Sequence, residues 1–247
     1  MATFVLIHGS WHGGWCFDPV RARLEAEGHE VIAPDLPGMG GDESALRAVT
    51  LQGWADFAAG LCRGASQKPV ILAGHSRGGL VVSQAAETAP EAIDALVYIC
   101  AMMLPDGMSR AEVKALEEPN PAFDAIITPV CNGAGTVVDP VAAPAVFAQL
   151  SPPDLVAAAM ARLVTEPHGP RSTPLHLTKE RFGSLPRTYI ECSEDRTIPR
   201  SSQRTMQRLV PGAEVEVLYA DHSPFLSRPE ALATMLLNAA ARVAVSP

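Results

Sequence analysis

The chain predicts an α/β fold: a mostly parallel six-stranded sheet with helices on both faces and a helical cap inserted before the last two strands. Three observations predict it. Six short apolar runs occur, at residues 3–8, 30–33, 69–73, 95–100, 187–192 and 214–219. Several are nearly continuous hydrophobics rather than alternating ones, the pattern of strands covered on both faces. Helical patterns lie between most of the runs, and strands alternating with helices argue for right-handed crossovers within one sheet. With 247 residues, 47% of them hydrophobic, the chain can remove about 70–75% of its unfolded surface from water without disulfides or a structural metal.

The helices follow from stripes at 3.6-residue spacing. Phe17, Val20 and Leu24 form one, and Leu51, Trp54, Ala58 and Leu61 another. The last helix carries Leu232, Leu236, Ala240 and Val243 on its buried face. Pro229 stands in its first turn, and Ser227 with Glu230 reads as a capping box. One stretch breaks the alternation. Between residues 104 and 184 the strand signal vanishes and eleven of the 22 prolines gather, with short helical pieces at 109–116 and 154–163. The expected organisation is a core of residues 1–103 and 185–247, with a cap of residues 104–184 over the sheet's C-terminal edge. Phe147, Leu150, Leu155, Met160 and Leu163 would pack the cap as a layer, and Met102, Met103, Phe123, Phe147 and Met160 would line the pocket beneath it.

Charge excludes whole classes of partner. Net charge is −8 and only 19% of residues are charged, so no basic surface invites nucleic acid or anionic lipid. A disordered or coiled-coil chain would be far more polar. The five cysteines, Cys16, Cys62, Cys100, Cys131 and Cys192, are odd in number, lack a C-x-x-C pair and read as free thiols of a reducing compartment. The N-terminal apolar run is too short to span a bilayer. A cytoplasmic protein is the expectation, and a homodimer is left open.

The chemistry starts at Gly74-His75-Ser76-Arg77-Gly78-Gly79. A G-x-S-x-G between an apolar run and a helix-compatible run is a nucleophile elbow, a turn so tight that it lifts the serine hydroxyl above the sheet. Ser76 needs an imidazole to take its proton. His222 lies where the base of such a site belongs, in the loop between the last strand and the last helix. The spacing of His8 and His12 could suggest a metal pair, but Gly9 disfavours a helix there and no third ligand is evident. His75 should point away from the site, and His29, His168 and His176 read as loop or cap residues. The orienting acid should follow a core strand. Asp195 does, with Asp106 the chief alternative and Glu191 and Glu194 close rivals; Asp221 is too near His222 to reach its far nitrogen. Backbone N–H groups of Arg77 and of Ser10, in the Gly-rich loop after the first run, would form an oxyanion hole. One such donor is worth about 2.7–4 kcal/mol of transition-state stabilisation. Neither a P-loop nor a dinucleotide fingerprint is present, so no cofactor and no metal are expected.

Several blocks carry a family resemblance. They are Phe4-Val5-Leu6-Ile7-His8-Gly9 with His12-Gly13-Gly14-Trp15, residues 24–29, Asp35-Leu36, the elbow, and Arg181-Phe182-Gly183-Ser184 through Tyr189-Ile190-Glu191-Cys192-Ser193-Glu194-Asp195. Ile198-Pro199, Gln203 and Ala220-Asp221-His222 complete the match. The chain resembles the α/β-hydrolase superfamily, in particular the branch of plant methyl esterases and S-selective hydroxynitrile lyases, over residues 1–105 and 178–245. The resemblance implies a triad of Ser76, Asp195 and His222, with oxyanion donors at Ser10 and Arg77. It also implies that a lyase would carry threonine in place of Gly9 and lysine in place of Ser223, so their absence favours ester hydrolysis. Arg77 departs from the family, where small neutral residues are usual. It would either attract an anionic substrate or pair with an acid away from the pocket.

The expected function is a serine carboxylesterase acting through an acyl-enzyme on small to medium hydrophobic esters. Two alternatives share the fold: a C–C lyase at the same site, and a ligand receptor without turnover.

Overall fold

All six expected strands form, and the side chains of the central ones explain why their sequences are almost wholly apolar. In the computed structural model, which describes residues 1–244, the strands are β1 (Thr3–Ile7), β2 (Glu30–Ile32), β3 (Val70–His75) and β4 (Ala95–Ile99). After a long insert come β8 (Arg187–Cys192) and β9 (Ala213–Leu218), the insert contributing β5 to β7. The large sheet runs β2-β1-β3-β4-β8-β9 and every pairing in it is parallel.

Successive residues of a strand face opposite sides of the sheet, and each side here has its own core. Phe4, Leu6, Ile71, Ala73, Val97 and Ile99 enter one apolar cluster, closed by Phe17, Val20 and Leu24 and by Leu232, Leu236 and Ala240 of the last helix, Pro229–Ala244. Val5, Ile7, Val70, Leu72, Leu96 and Tyr98 enter the other, closed by the helices Leu51–Arg63 and Gly78–Thr88. The edge strand β9 lacks that double cover. Its Val215 and Val217 are 44% and 51% exposed, although its Glu-Val-Glu-Val alternation would place the valines on the covered face.

Residues 104–184 depart from expectation in one respect: they are not wholly helical. Besides Arg110–Lys114, Pro121–Asp124, Pro144–Phe147 and Pro153–Met160, they hold a three-stranded antiparallel sheet of β5 (Ile127–Val130), β6 (Gly135–Val138) and β7 (Glu166–Pro167). These strands are two to four residues long, and Pro129 sits within one of them. An edge strand such as β5 tolerates a proline that a central one would not, so periodicity had little to register. Within the expected layer Phe147 and Met160 are buried, whereas Leu155 is exposed. Met102 and Met103 join the opposite apolar cluster from Phe123, Phe147 and Met160.

The expected capping box at Ser227 and Glu230 does not form. Ser227 ends a short helix, Pro224–Ser227, and its hydroxyl donates to Asp221 Oδ1 at 2.8 Å. A capping box does form elsewhere, between Ser109 and Glu112. The cysteines are free, four of them buried and Cys131 half-buried.

Leu236 is fully buried where the last helix meets the sheet. Replacing it by alanine should cost about 2–5 kcal/mol of stability, read as a fall in the urea midpoint with an unchanged m-value.

Candidate active site

The turn after β3 is built from close backbone approaches. Ser76 sits at φ +52°, a left-handed conformation rare for a residue with a side chain. It is held from both sides: Ser76 N donates to Ile99 O at 3.2 Å, and Ser76 O accepts from Gly79 N at 3.1 Å and Met102 N at 2.9 Å. Gly78 packs so tightly that a Cβ there would lie 2.5 Å from Ile7 O, and one on Gly79 would lie 2.5 Å from Met102 O. Glycine at these two positions lets the helix Gly78–Thr88 start directly beneath Ser76, its N-terminal dipole aimed at the same place.

The predicted partners meet there. His222 Nε2 is 3.0 Å from Ser76 Oγ, and His222 Nδ1 is 2.7 Å from Asp195 Oδ2. The other oxygen of Asp195 accepts Thr197 N at 2.7 Å and Ile198 N at 2.9 Å. The carboxylate is thereby fixed in orientation, with one oxygen left for the imidazole. All three side chains are buried, and Ser76 retains 4% exposure.

The rival acids are engaged elsewhere. Asp106 Oδ1 accepts Leu177 N at 2.8 Å, Glu194 accepts the Ser193 hydroxyl at 3.0 Å, and Glu191 is held by Arg200 and Arg204. Asp221 takes a role the sequence did not suggest. Its Oδ2 accepts Leu150 N at 2.8 Å and Ser151 Oγ at 3.0 Å, tying the insert to the loop that carries His222.

The loop after β1 runs against the serine. A Cβ on Gly9 would lie 2.8 Å from Ser76 Cβ and 2.8 Å from His75 Nδ1. This places Ser10, the next residue and one expected oxyanion donor, beside the turn that carries Arg77, the other. Trp11 follows at φ +59°. It stacks on Phe147 at 5.8 Å and meets Phe123 edge-on at 6.1 Å. Phe147 lies 6.0 Å from the His222 ring, so an aromatic wall faces the imidazole.

Of the two roles open to Arg77, the structure realises the second. Its Nε is 2.6 Å from Glu166 Oε1, its Nη2 donates to Gly9 O at 3.1 Å, and its guanidinium lies 4.2 Å over the Trp54 ring. Burial lowers its pKa from the ordinary arginine value, and the Glu166 charge opposes that fall.

His75 corrects an expectation, for it does not point away from the site. Its Nε2 donates to the backbone oxygen of His222 at 2.7 Å and its ring is 4.7 Å from that of His222. It steadies the loop bearing His222. His8 is no metal ligand: Nδ1 donates to Gly9 O at 2.8 Å and Nε2 accepts Leu36 N at 3.0 Å. Ligating atoms of His75, Cys100 and His222 lie within 4.8 Å of one another. Both ring nitrogens of His222 and Nε2 of His75 already have partners, which leaves Cys100 and one nitrogen of His75, too few to hold an ion. Burial pushes His8 down to about 3 and His12 down to about 4, and holds His75 well below the ordinary histidine value. The Arg77 charge adds to the fall of His8 and of His12.

A parallel sheet whose central strand ends in a sharp serine turn, with a histidine and an aspartate on later loops, defines a hydrolase-type α/β fold. The chain belongs to the alpha/beta hydrolase family, whose pattern it matches over residues 4–235. It is 32% identical to methylesterase 7 of Arabidopsis thaliana, with 98% of this chain and 97% of that protein aligned. It is 34% identical to salicylic acid-binding protein 2 of Nicotiana tabacum, with 96% of each aligned. Among solved structures, a pyrethroid hydrolase from Sphingobium faniae superposes with a TM-score of 0.88 at 31% identity over 99% of both chains.

Sequence reasoning missed Glu166, Asp221 and the bond made by His75. A buried arginine requires an acid, so Arg77 implied a partner, but nothing in the proline-dense insert singled out Glu166.

The three neutral histidines set an acid limit on stability. Below about 6.5 the unfolded chain protonates them while the fold does not, so the unfolded state binds more protons and stability falls with pH. Each contributes about 1.4 kcal/mol per pH unit until its folded value is reached. Urea unfolding should show a clear loss between pH 7 and 5. Equal midpoints at the two pH values would mean that these imidazoles are protonated in the fold.

Proposed function

We propose that the protein is a serine carboxylesterase for neutral, hydrophobic esters. The observation that carries the proposal is the unbroken path from Asp195 through His222 to Ser76, at 2.7 Å and 3.0 Å. In this reading His222 Nε2 removes the Ser76 proton as Oγ attacks the ester carbonyl. Asp195, its second oxygen occupied by Thr197 and Ile198, keeps the Nδ1 proton in place and stabilises the imidazolium. Negative charge develops on the former carbonyl oxygen beside the backbone N–H groups of Ser10 and Arg77. His222 then returns its proton to the departing alcohol, and water releases the acid by the reverse sequence.

Two positions favour hydrolysis over cyanohydrin cleavage. Residue 9 is a glycine so close to Ser76 and His75 that the threonine of the lyases would not fit without displacing them. Ser223, buried beside His222, supplies no cation to hold a departing cyanide. Relatives named as a methylesterase and a pyrethroid hydrolase support ester chemistry. The segment 104–184 would act as the cap. Its Phe147 ring lies 6.0 Å from the His222 ring, with Phe123 and Met160 in the same apolar cluster, and the charge of Arg77 is engaged by Glu166. A small-molecule ester is the partner in this reading. No helix among the described residues is long and apolar enough to cross a membrane.

A panel of chromogenic esters that differ in acyl size, alcohol size and charge tests this reading. Neutral apolar esters should turn over, and Ser76→Ala should lower kcat on the order of 10^4-fold or more. Full activity in that variant would exclude the mechanism. Anionic esters of matched size should be poorer substrates, and a preference for them would show that Arg77 is available to substrate.

A further inference from the structure

Arg77 and Glu166 form an ion pair with almost no solvent access, 0% and 1% exposed respectively. Such a pair is a weak source of stability, because desolvating two charges offsets most of their attraction and apolar side chains of similar volume often do as well. The guanidinium also does more than neutralise a charge. One nitrogen meets Glu166 on β7 and another donates to Gly9 O, while its plane covers Trp54. Arg171 stands near enough for its charge to act on Arg77, and Glu166 acts on Arg171 in turn.

The residues it joins are the ones that matter chemically. Gly9 immediately precedes Ser10, and Arg77 immediately follows Ser76, so the side chain bridges the two segments that carry the proposed oxyanion donors. The insert holds the same loop on the other side of Ser10. Val164 N donates to Trp11 O at 2.9 Å, and Trp11 Nε1 donates to Thr136 Oγ1 at 3.1 Å.

We propose that Arg77 and Glu166 are a positioning pair. Through the Arg77–Gly9 hydrogen bond, β7 of the insert sets the distance between the loop of residues 8–12 and the Ser76 turn, and so the alignment of the Ser10 and Arg77 N–H groups. The proposal rests on the esterase reading for its kinetic consequence but not for its structural one. A pair that served stability alone would be dispensable once both charges were removed, whereas a positioning pair would not.

The experiment compares the parent, S76A, E166Q and the double variant R77M/E166L. It measures thermal unfolding, kcat and KM on a neutral ester, and hydrogen–deuterium exchange of the 8–12 segment. E166Q should lower kcat several-fold at a KM within about twofold of the parent. In the double variant the thermal midpoint should recover towards the parent while kcat stays about tenfold lower and exchange in the 8–12 segment is at least tenfold faster. Parent kcat together with parent exchange in the double variant would overturn the proposal, as would a change in KM alone. Should the double variant not fold, an unchanged kcat in folded E166Q overturns it equally. Should the parent be no faster than S76A, the esterase reading fails instead, and the exchange rates alone decide whether the pair positions the loop.

Discussion

The arrangement depends on a crowded crossing of backbones at the end of β3. There the elbow turn passes within contact of the last carbonyls of β1 and of the chain leaving β4, with Ser76 at φ +52° between them. A backbone conformation of this kind is unfavourable by on the order of 1–3 kcal/mol and persists where its surroundings over-determine it. Here the surroundings are hydrogen bonds to Ile99, Gly79 and Met102 and glycines at the points of closest approach. The parallel register transmits the constraint: Ile7 pairs with Gly74, and His75 with Ile99. The carboxyl ends of β1, β3 and β4 therefore arrive together, and the loops that follow them have one place to meet.

The insert completes what the sheet begins. Asp221 binds Leu150 N and Ser151 Oγ, Thr197 Oγ1 donates to Val146 O at 2.9 Å, and Gln149 Nε2 donates to Glu194 O at 2.6 Å. The loops bearing His222 and Asp195 are thus both fastened to the same short stretch, residues 146–151. The β1 loop is fastened to a different part, the small antiparallel sheet, through Thr136, Val164 and Glu166. Movement of the insert as a body would act on the His222–Asp195 pair and on the β1 loop through separate contacts.

How much of this was legible follows from the range of the forces involved. The six core strands are local signals, because double burial makes nearly every position of β1, β3 and β4 apolar. The elbow was legible because a steric demand on Gly74, Gly78 and Gly79 leaves glycine as its trace. Asp195 and His222 could be placed because loops after parallel strands have few destinations. The strands of the insert could not be read, being too short for a period and interrupted by Pro129. Ser227 reads locally as a cap, yet its hydroxyl turns to Asp221, a competition between two acceptors that sequence spacing does not resolve. Glu166 and Asp221 act across 89 and about 70 residues of chain respectively, and no local pattern records such a pairing.

Charge around the site is arranged so that little of it is free. His8, His12 and His75 are neutral at pH 7 because burial strongly disfavours their protonated forms. The Arg77 charge is matched by Glu166 at 2.6 Å. In the proposed reading a His222 that takes the Ser76 proton would face Asp195 on one side, with the uncharged His75 ring and the Phe147 ring as its other neighbours. An anion developing beside Ser10 and Arg77 would likewise meet backbone dipoles rather than a bare guanidinium, since that side chain turns away towards β7. Fixed dipoles stabilise developing charge without having to reorganise as the reaction proceeds, whereas an unpaired arginine would attract anions in the ground state as well. Pairing Arg77 with an acid from the insert would thus remove a source of ground-state binding while leaving its N–H, the proposed oxyanion donor, where the helix start directs it.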